Sequence, residues 1–257
     1  MPPSVQNPVV MTNRTVPSVE VIAMHGWASD ARCWEPWFEP TRPLGWNWQC
    51  GERGYGNFEP HQPAWPDNIP SPVMRVFIAH SLGPHLAAPE MLAHADAIVL
   101  LASFGAFAPP DRAGRRVRRA IAAMADKLGD EHEARMMLRN FLTNAASPES
   151  SALLPPGPAD GPLNLERLRE DLAILDGCRG LPRGFPVGAR VLIVEAARDT
   201  IVEPEAGIML RGELPGATVI TMENAGHSLL HTNVLEVATD WVEQQRSGFA
   251  AQNATPK

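Results

Sequence analysis

A serine at the end of an apolar run is the first residue whose surroundings suggest chemistry. The run Val73–Ala79 is followed by His-Ser81-Leu-Gly83 and then by a segment typical of a helix. A buried strand that turns into a helix through small-x-Ser-x-Gly exposes the serine hydroxyl as a nucleophile. Ala79 occupies the first small position, where glycine is usual. The alternative is that Ser81 only caps a helix after a strand.

A nucleophilic serine requires a base, and the base requires an orienting carboxylate. His227 stands in a loop, Asn-Ala-Gly-His-Ser, after the last predicted strand, and Asp199 stands in a loop after the preceding one. The chain order Ser81, Asp199, His227 is one of the known orders for such a triad. Glu195 and Glu203 are the alternatives to Asp199, which would otherwise be a turn or helix cap.

A second glycine turn predicts donors for an oxyanion. The apolar run that starts at Val19 ends in His25-Gly26-Trp27, and glycine allows backbone amides to approach a reacting carbonyl. We expect the amides of Trp27 and Leu82 to hold the developing oxyanion, at roughly 10²–10³ in rate per donor. The alternative is a tight turn without a catalytic role.

Short apolar runs, several rich in β-branched residues, alternate with helical or loop segments along the chain. Runs of this length that are apolar throughout fit strands buried on both faces of a parallel sheet. Their alternation with helical segments predicts an α/β fold with a mostly parallel sheet flanked by helices. The predicted strands are Val19–Met24, Asn47–Cys50, Val73–Ala79, Ala97–Ala102, Arg190–Glu195 and Thr218–Met222.

One long interval contains no strand candidate. Between Ser103 and Gly188 the sequence indicates only helices, at about 111–128, 130–145 and 163–177, by their apolar periodicity. We therefore predict a helical cap over 105–186, inserted into a catalytic domain made of 1–104 and 187–257. The cap carries 12 basic and 11 acidic side chains, whereas the remainder carries 10 and 18.

The composition excludes several classes of protein. The 257 residues are 44% hydrophobic with a net charge of −7, which excludes a disordered chain and a generally basic nucleic-acid binder. Three scattered cysteines, no metal-ligand spacing and no phosphate-binding glycine loop lead us to expect no metal and no cofactor. The longest purely apolar run, Ala97–Ala102, is too short for a bilayer. We expect a cytoplasmic monomer without membrane contact.

These motifs resemble those of the α/β-hydrolase superfamily, and most resemble its pimeloyl-[acyl-carrier-protein] methyl ester esterases, in a divergent, cyanobacterial-type form. The resemblance implies a serine esterase of biotin synthesis in which Trp27, Leu82 and Phe141 line the acyl site. The sequence departs from the family at Ala79, Gly51 and Pro84. The resemblance rests on His25-Gly26-Trp27 with Trp34, the turn at Ser81, Phe141-Leu142, and residues 168–175.

The first cap helix has two contrasting faces. An apolar stripe is formed by Val117, Ile121, Met124 and Leu128, and Asp111 is a plausible cap before it. Arginines in the first turns oppose the helix dipole, which favours acids there. We expect them to face outward and to bind an acidic acyl-carrier protein and its phosphopantetheine phosphate; the alternative is a solvated basic face. These arginines are Arg112, Arg115, Arg116, Arg118 and Arg119.

The sequence thus predicts a serine carboxylesterase that hydrolyses the methyl ester of a pimeloyl group on acyl-carrier protein. One rival is a general small-ester or thioester hydrolase with the same three residues. Another is a binding protein of the same fold without catalysis, for which the arginine face would be the purpose. A haloalkane dehalogenase is disfavoured, because its nucleophile would be an aspartate where Ser81 stands.

Overall fold

The computed structural model describes residues 16–67, 72–110 and 112–253. Their strands form one six-stranded parallel sheet in the order β2-β1-β3-β4-β5-β6. Each predicted strand is present, with boundaries shifted by at most one residue. The strands are β1 (Ser18–Met24), β2 (Trp46–Gly51), β3 (Val73–His80), β4 (Ala97–Leu101), β5 (Arg190–Ala196) and β6 (Thr218–Met222).

Helices cover both faces of the sheet. Helices α2, α3, α7 and those of the cap pack on one face of the sheet, and α1 and α8 pack on the other face. Each face therefore closes its own apolar core, as a parallel sheet requires. The helices are α1 (Glu35–Thr41), α2 (Gly83–Leu86), α3 (Pro89–Ala93), α4 (Arg112–Lys127), α5 (Glu131–Ala146), α6 (Leu165–Gly177), α7 (Pro204–Glu213) and α8 (Val234–Asn253).

The expectation that every strand is buried on both faces was wrong for the two edge strands. β6 is exposed or half-buried along its whole length, and Val219 is 40% exposed. The middle of β2 is also only partly buried. An edge strand has one neighbouring strand and thinner helical cover, so only the central strands β1, β3, β4 and β5 have fully buried middles.

The long interval between β4 and β5 holds α4, α5 and α6, as the periodicity predicts. Asp130 and Asn164 cap α5 and α6 by accepting hydrogen bonds from backbone amides in the first turns. Leu168 and Leu172 of α6 are fully buried in the core cluster on one face of the sheet, so the insertion rests directly on that face. The predicted cap Asp111 lies outside the described residues. None of the described helices combines the length and apolarity needed to cross a membrane.

Candidate active site

Ser81 stands at the sharp turn between β3 and α2. Its backbone has φ of 55°, a left-handed conformation that is uncommon outside glycine, and its amide donates to the Leu101 carbonyl at 2.9 Å. A side chain at Gly83 would place its Cβ 2.4 Å from the Met24 carbonyl oxygen. Only glycine therefore lets the start of α2 pack against the end of β1, which fixes the turn that presents Ser81.

Ser81 meets two residues that follow it by more than a hundred positions in the chain. The Ser81 hydroxyl lies 3.0 Å from Nε2 of His227, and Nδ1 of His227 lies 2.8 Å from a carboxylate oxygen of Asp199. A carboxylate only accepts, so Nδ1 carries the proton and Nε2 is free to accept from the hydroxyl. Ser81 and His227 are buried. The chain Ser81–His227–Asp199 has the geometry in which a histidine can remove the serine proton.

Asp199 is fixed by its own loop. Its other carboxylate oxygen accepts from the amides of Ile201 at 2.7 Å and Val202 at 2.9 Å. Burial alone would raise the pKa of Asp199. The electrostatic interaction and hydrogen bond with His227, together with these two amides, outweigh burial and lower that pKa below its usual value. The carboxylate is therefore charged at neutral pH and orients the imidazole.

The two alternative carboxylates are engaged elsewhere. Glu195 pairs with Arg211 of α7, and Glu203 pairs with Arg116 of α4. Within the residues that the structure describes, neither makes a hydrogen bond to His227, whose Nδ1 contacts Asp199. The geometry thus places Asp199, and not Glu195 or Glu203, beside the imidazole.

His80, the residue before Ser81, contacts the loop of His227. Its Nε2 donates to the His227 carbonyl at 2.9 Å. Burial, with a smaller contribution from nearby His227, lowers the pKa of His80 to about 3. The ring is therefore neutral near pH 7 and holds the backbone of His227 without adding a charge.

The loop of His227 is also attached to the cap. The amide of Ser228 donates to the carbonyl of Ala145, in the last turn of α5, at 2.9 Å. A Cβ at Gly226 would lie 1.7 Å from the Ser147 carbonyl oxygen, so glycine is required for this contact. The end of α5 and the histidine loop consequently form one packed unit.

The two amides expected to bind an oxyanion flank Ser81. Gly26 allows the turn after β1 to approach Ser81, since a Cβ at position 26 would lie 2.9 Å from Cβ of Ser81. Among the described residues, the amides of Trp27 and Leu82 donate no hydrogen bond to the protein. The Trp27 indole donates to the Leu168 carbonyl of α6 at 2.8 Å, which fixes the turn. Two amides without protein partners beside a nucleophile are suited to binding a developing negative charge.

A buried carboxylate on the cap, which the sequence analysis did not identify as a site residue, secures this turn. Asp171 of α6 is fully buried and accepts from Arg53 Nε at 2.8 Å, from Arg53 Nη2 at 2.5 Å and from the Tyr55 hydroxyl at 2.6 Å. Burial, and then the charge of Asp171, raise the pKa of Tyr55 well above its usual value, so the hydroxyl remains a donor. One signal was present in the sequence: Asp171 lies between Leu168 and Leu175 on the apolar stripe of its helix.

A second buried carboxylate, that of Glu52, lies beside the turn His25-Gly26-Trp27. Glu52 accepts from the amides of Ala31 at 2.9 Å and Gly54 at 2.7 Å, beside His25. The amide of Arg53 donates to Nε2 of His25 at 3.3 Å, just before the oxyanion turn.

Two cavities meet at Ser81. One, the His227 cavity, has a volume of about 610 Å³ and is bordered by His227 and Ser228. The other, the Leu82 cavity, has a volume of about 570 Å³ and is bordered by Leu82 and by α4. Both cavities are bordered by Ser81, Trp27 and Phe141. The rings of Trp27 and Phe141 lie edge to face, with their centroids 5.2 Å apart. Trp27, Leu82 and Phe141 therefore all line the Leu82 cavity.

The expectation that all five arginines of α4 face outward was wrong for Arg118, which is half-buried. Arg112, Arg115, Arg116 and Arg119 are exposed. Arg116 borders the Leu82 cavity and pairs with Glu203. The reason is the helical rotation of about 100° per residue: the position before Val117 lies at the margin of the apolar face, where a long side chain reaches the cavity.

No group of three or more His, Cys, Asp and Glu side chains in the described part of the chain could hold a metal ion. The cysteines Cys33, Cys50 and Cys178 are free, and burial raises the pKa of Cys50 and of Cys178 to about 12. These thiols are therefore neutral near pH 7 and are poor candidates for ligands or nucleophiles. The expectation that the protein uses no cofactor stays a prediction.

The parallel sheet, the serine turn and the helical insertion between β4 and β5 define the α/β-hydrolase fold. An esterase from Exiguobacterium antarcticum is similar with a TM-score of 0.66 at 15% identity, over 91% of this chain and 92% of that chain. A carboxylesterase structure from Nitrososphaera gargenis gives 0.65 at 11%, over 91% and 92%. The enol-lactonase from Burkholderia xenovorans gives 0.63 at 12%, over 88% and 92%. No family model and no curated protein sequence matches the chain.

Proposed function

We propose that this chain is a serine hydrolase of carboxylic esters. The observation that carries the proposal is the hydrogen-bonded chain from Ser81 through His227 to Asp199. Beside it lie the amides of Trp27 and Leu82, which have no protein partner among the described residues. The names of the similar structures support the same chemistry, since an esterase, carboxylesterases and an enol-lactonase all act on ester bonds.

The proposed reaction has two halves. Ser81 Oγ attacks the ester carbonyl while His227 Nε2 takes its proton, and the carbonyl oxygen becomes an oxyanion held by the two amides. His227 then returns the proton to the alcohol oxygen, the carbon–oxygen bond breaks, and an acyl-serine remains. Water repeats the sequence, releasing the acid and restoring Ser81. Asp199 keeps the imidazole oriented and stabilises it while it carries the extra proton.

The proposal is tested with a fluorophosphonate probe and a short p-nitrophenyl ester. We expect wild type to be labelled and active, and Ser81→Ala to lose both properties with unchanged circular dichroism. Ser247→Ala is the matched control, because that serine is exposed on α8 and far along the chain from the turn. Absence of labelling and of turnover in folded wild type would instead favour a binding protein without catalysis.

The finer proposal concerns the substrate, a methyl ester of a pimeloyl group on acyl-carrier protein. What supports it is the position of the exposed Arg112, Arg115 and Arg119 on the helix that borders the Leu82 cavity through Arg116. A carrier bound to α4 would stand beside that cavity, which we assign to the acyl group. Its acidic surface and phosphate would meet three exposed guanidinium groups.

The test compares carrier-linked and free methyl esters. Replacing Arg112, Arg115 and Arg119 by Glu is expected to lower kcat/KM for the carrier-linked ester, and added salt is expected to weaken the wild-type reaction, because charge steering is screened. A control triple variant, Arg42, Arg179 and Arg183 to Glu, changes the net charge equally outside α4 and both cavities. Equal losses in the two triple variants, or none in either, would refute carrier binding at α4.

A further inference from the structure

We infer that the His227 cavity binds the alcohol part of the substrate and selects esters of bulky, largely apolar, uncharged alcohols. The inference rests on the proposed ester hydrolysis and adds which side of the ester occupies which cavity. It replaces methanol, the leaving group of the finer proposal above, by a larger alcohol, so the two are alternatives and one experiment decides between them.

The assignment of the cavities follows from the path of the proton. The alcohol oxygen must receive its proton from Nε2 of His227, so it must come within about 2.6–3.2 Å of that atom. In the described part of the chain, His227 borders the His227 cavity and does not border the Leu82 cavity. The carbon chain attached to the leaving oxygen therefore extends into the His227 cavity. The acyl chain then has the Leu82 cavity, on the other side of Trp27 and Phe141.

The size of the His227 cavity argues against a small alcohol. Its 610 Å³ is about twenty times the roughly 30 Å³ that a water molecule occupies in the liquid. The volume falls within the roughly 300–1,000 Å³ of cavities that enclose drug-sized ligands. Methanol adds one carbon to water, so a methyl ester would leave nearly all of this space filled with solvent.

The walls define the chemistry of the alcohol. Apolar side chains border the cavity from the end of α5, the proline-rich loop and the loop after His227, and polar side chains such as Thr143 and Ser151 border it as well. Arg139 and Asp160 are both exposed and border the same cavity, so their charges offset each other and favour no net charge on the ligand. The apolar lining includes Leu142, Leu154, Pro155, Pro156, Ala159 and Leu230.

The experiment uses butanoate esters of methanol, butanol and 3-phenylpropanol, primary alkanols whose similar acidity keeps the intrinsic chemistry constant. Each methylene that becomes buried in the transition state is worth about fourfold in kcat/KM. We therefore expect kcat/KM to rise at least tenfold from the methyl to the phenylpropyl ester. An equal or higher value for the methyl ester would overturn the inference and favour the methyl-ester proposal.

A pair of variants locates the effect. Ala152 borders only the His227 cavity and Ala120 only the Leu82 cavity among the cavities around Ser81, and both are exposed. Ala152→Trp is expected to reduce the phenylpropyl-to-methyl ratio at least threefold, whereas Ala120→Trp is expected to preserve that ratio. The reverse pattern would place the alcohol in the Leu82 cavity and overturn the assignment. If folded wild type hydrolyses none of these esters and is not labelled by the fluorophosphonate probe, the proposed function itself is refuted.

Discussion

Removing the carboxylate of Asp171 is expected to destabilise the protein strongly. The side chain is fully buried and accepts three hydrogen bonds, two of them from Arg53, whose side chain is only 15% exposed. Asp171→Ala leaves that guanidinium and the Tyr55 hydroxyl without their partner. Breaking one side of a buried pair costs about 3–5 kcal/mol, because the remaining charge stays desolvated. We expect a loss of this size in the free energy of unfolding.

The same change should reach the catalytic turn. Asp171 lies one helical turn after Leu168, whose carbonyl accepts from the Trp27 indole, and the Arg53 amide contacts His25. A shift of α6 therefore displaces the Trp27 amide from Ser81. Since one oxyanion donor is worth roughly 10²–10³ in rate, we expect kcat to fall by about tenfold or more, up to that limit.

Urea unfolding, followed by tryptophan fluorescence, measures the change in stability. Ester hydrolysis without urea, at a temperature where the variant is folded, measures the change in kcat. The double variant Arg53→Met with Asp171→Leu removes both charges, and we expect it to recover most of the stability. Two results would refute the reasoning: a loss below about 1 kcal/mol in Asp171→Ala, the usual size for one neutral hydrogen bond, or a double variant as unstable as the single. An unchanged kcat in the folded single variant would refute the link to Trp27.

Three further outcomes are expected. Asp199→Asn should fold and lose about 10⁴ in kcat, because the imidazole of His227 is then misoriented. Glu195→Gln is the control and should keep the wild-type kcat. A loss of kcat in both variants would mean a general charge effect. His80→Gln should remove a pH dependence of stability. The pKa of His80 is about 3 in the folded state and about 6.5 in the unfolded state, so the unfolded state binds the extra proton. In urea titrations, the free energy of unfolding of wild type should therefore fall as the pH drops from 6.5 towards 3, and that of the variant should fall less. Gly226→Ala should lower both kcat and the melting temperature, because its Cβ would lie 1.7 Å from the Ser147 carbonyl oxygen; an unchanged variant would contradict the packing of the histidine loop on the cap.

The parts of the fold that were predictable depend on short-range patterns. The apolar run Val73–Ala79 and the pattern around Ser81 specify a strand and a turn within a dozen residues, and the structure has both. The positions of Asp199 and His227 were predictable because each follows a strand of one parallel sheet, and the carboxyl ends of such strands meet at one edge.

The parts that were not predictable depend on contacts between distant residues. Arg53 and Asp171 are 118 positions apart, and nothing local in either segment indicates the other. Likewise, the side chain of Arg116 reaches the Leu82 cavity because Glu203, 87 positions later, lies across from it. Exposure of β6 follows from its place at the edge of the sheet, which the composition of Thr218–Met222 does not reveal.

The hydrogen bond from Ser228 to the end of α5 limits how modular the cap is. The insertion lies between two neighbouring strands, β4 and β5, so its removal would leave the sheet continuous. In this chain, excision of α4–α6 would also remove the carbonyl of Ala145 and the backbone of Ser147 on which the loop of His227 rests. A grafted insertion would have to supply both supports, so a version of this protein without α4–α6 is expected to keep the turn of Ser81 and lose the alignment of His227.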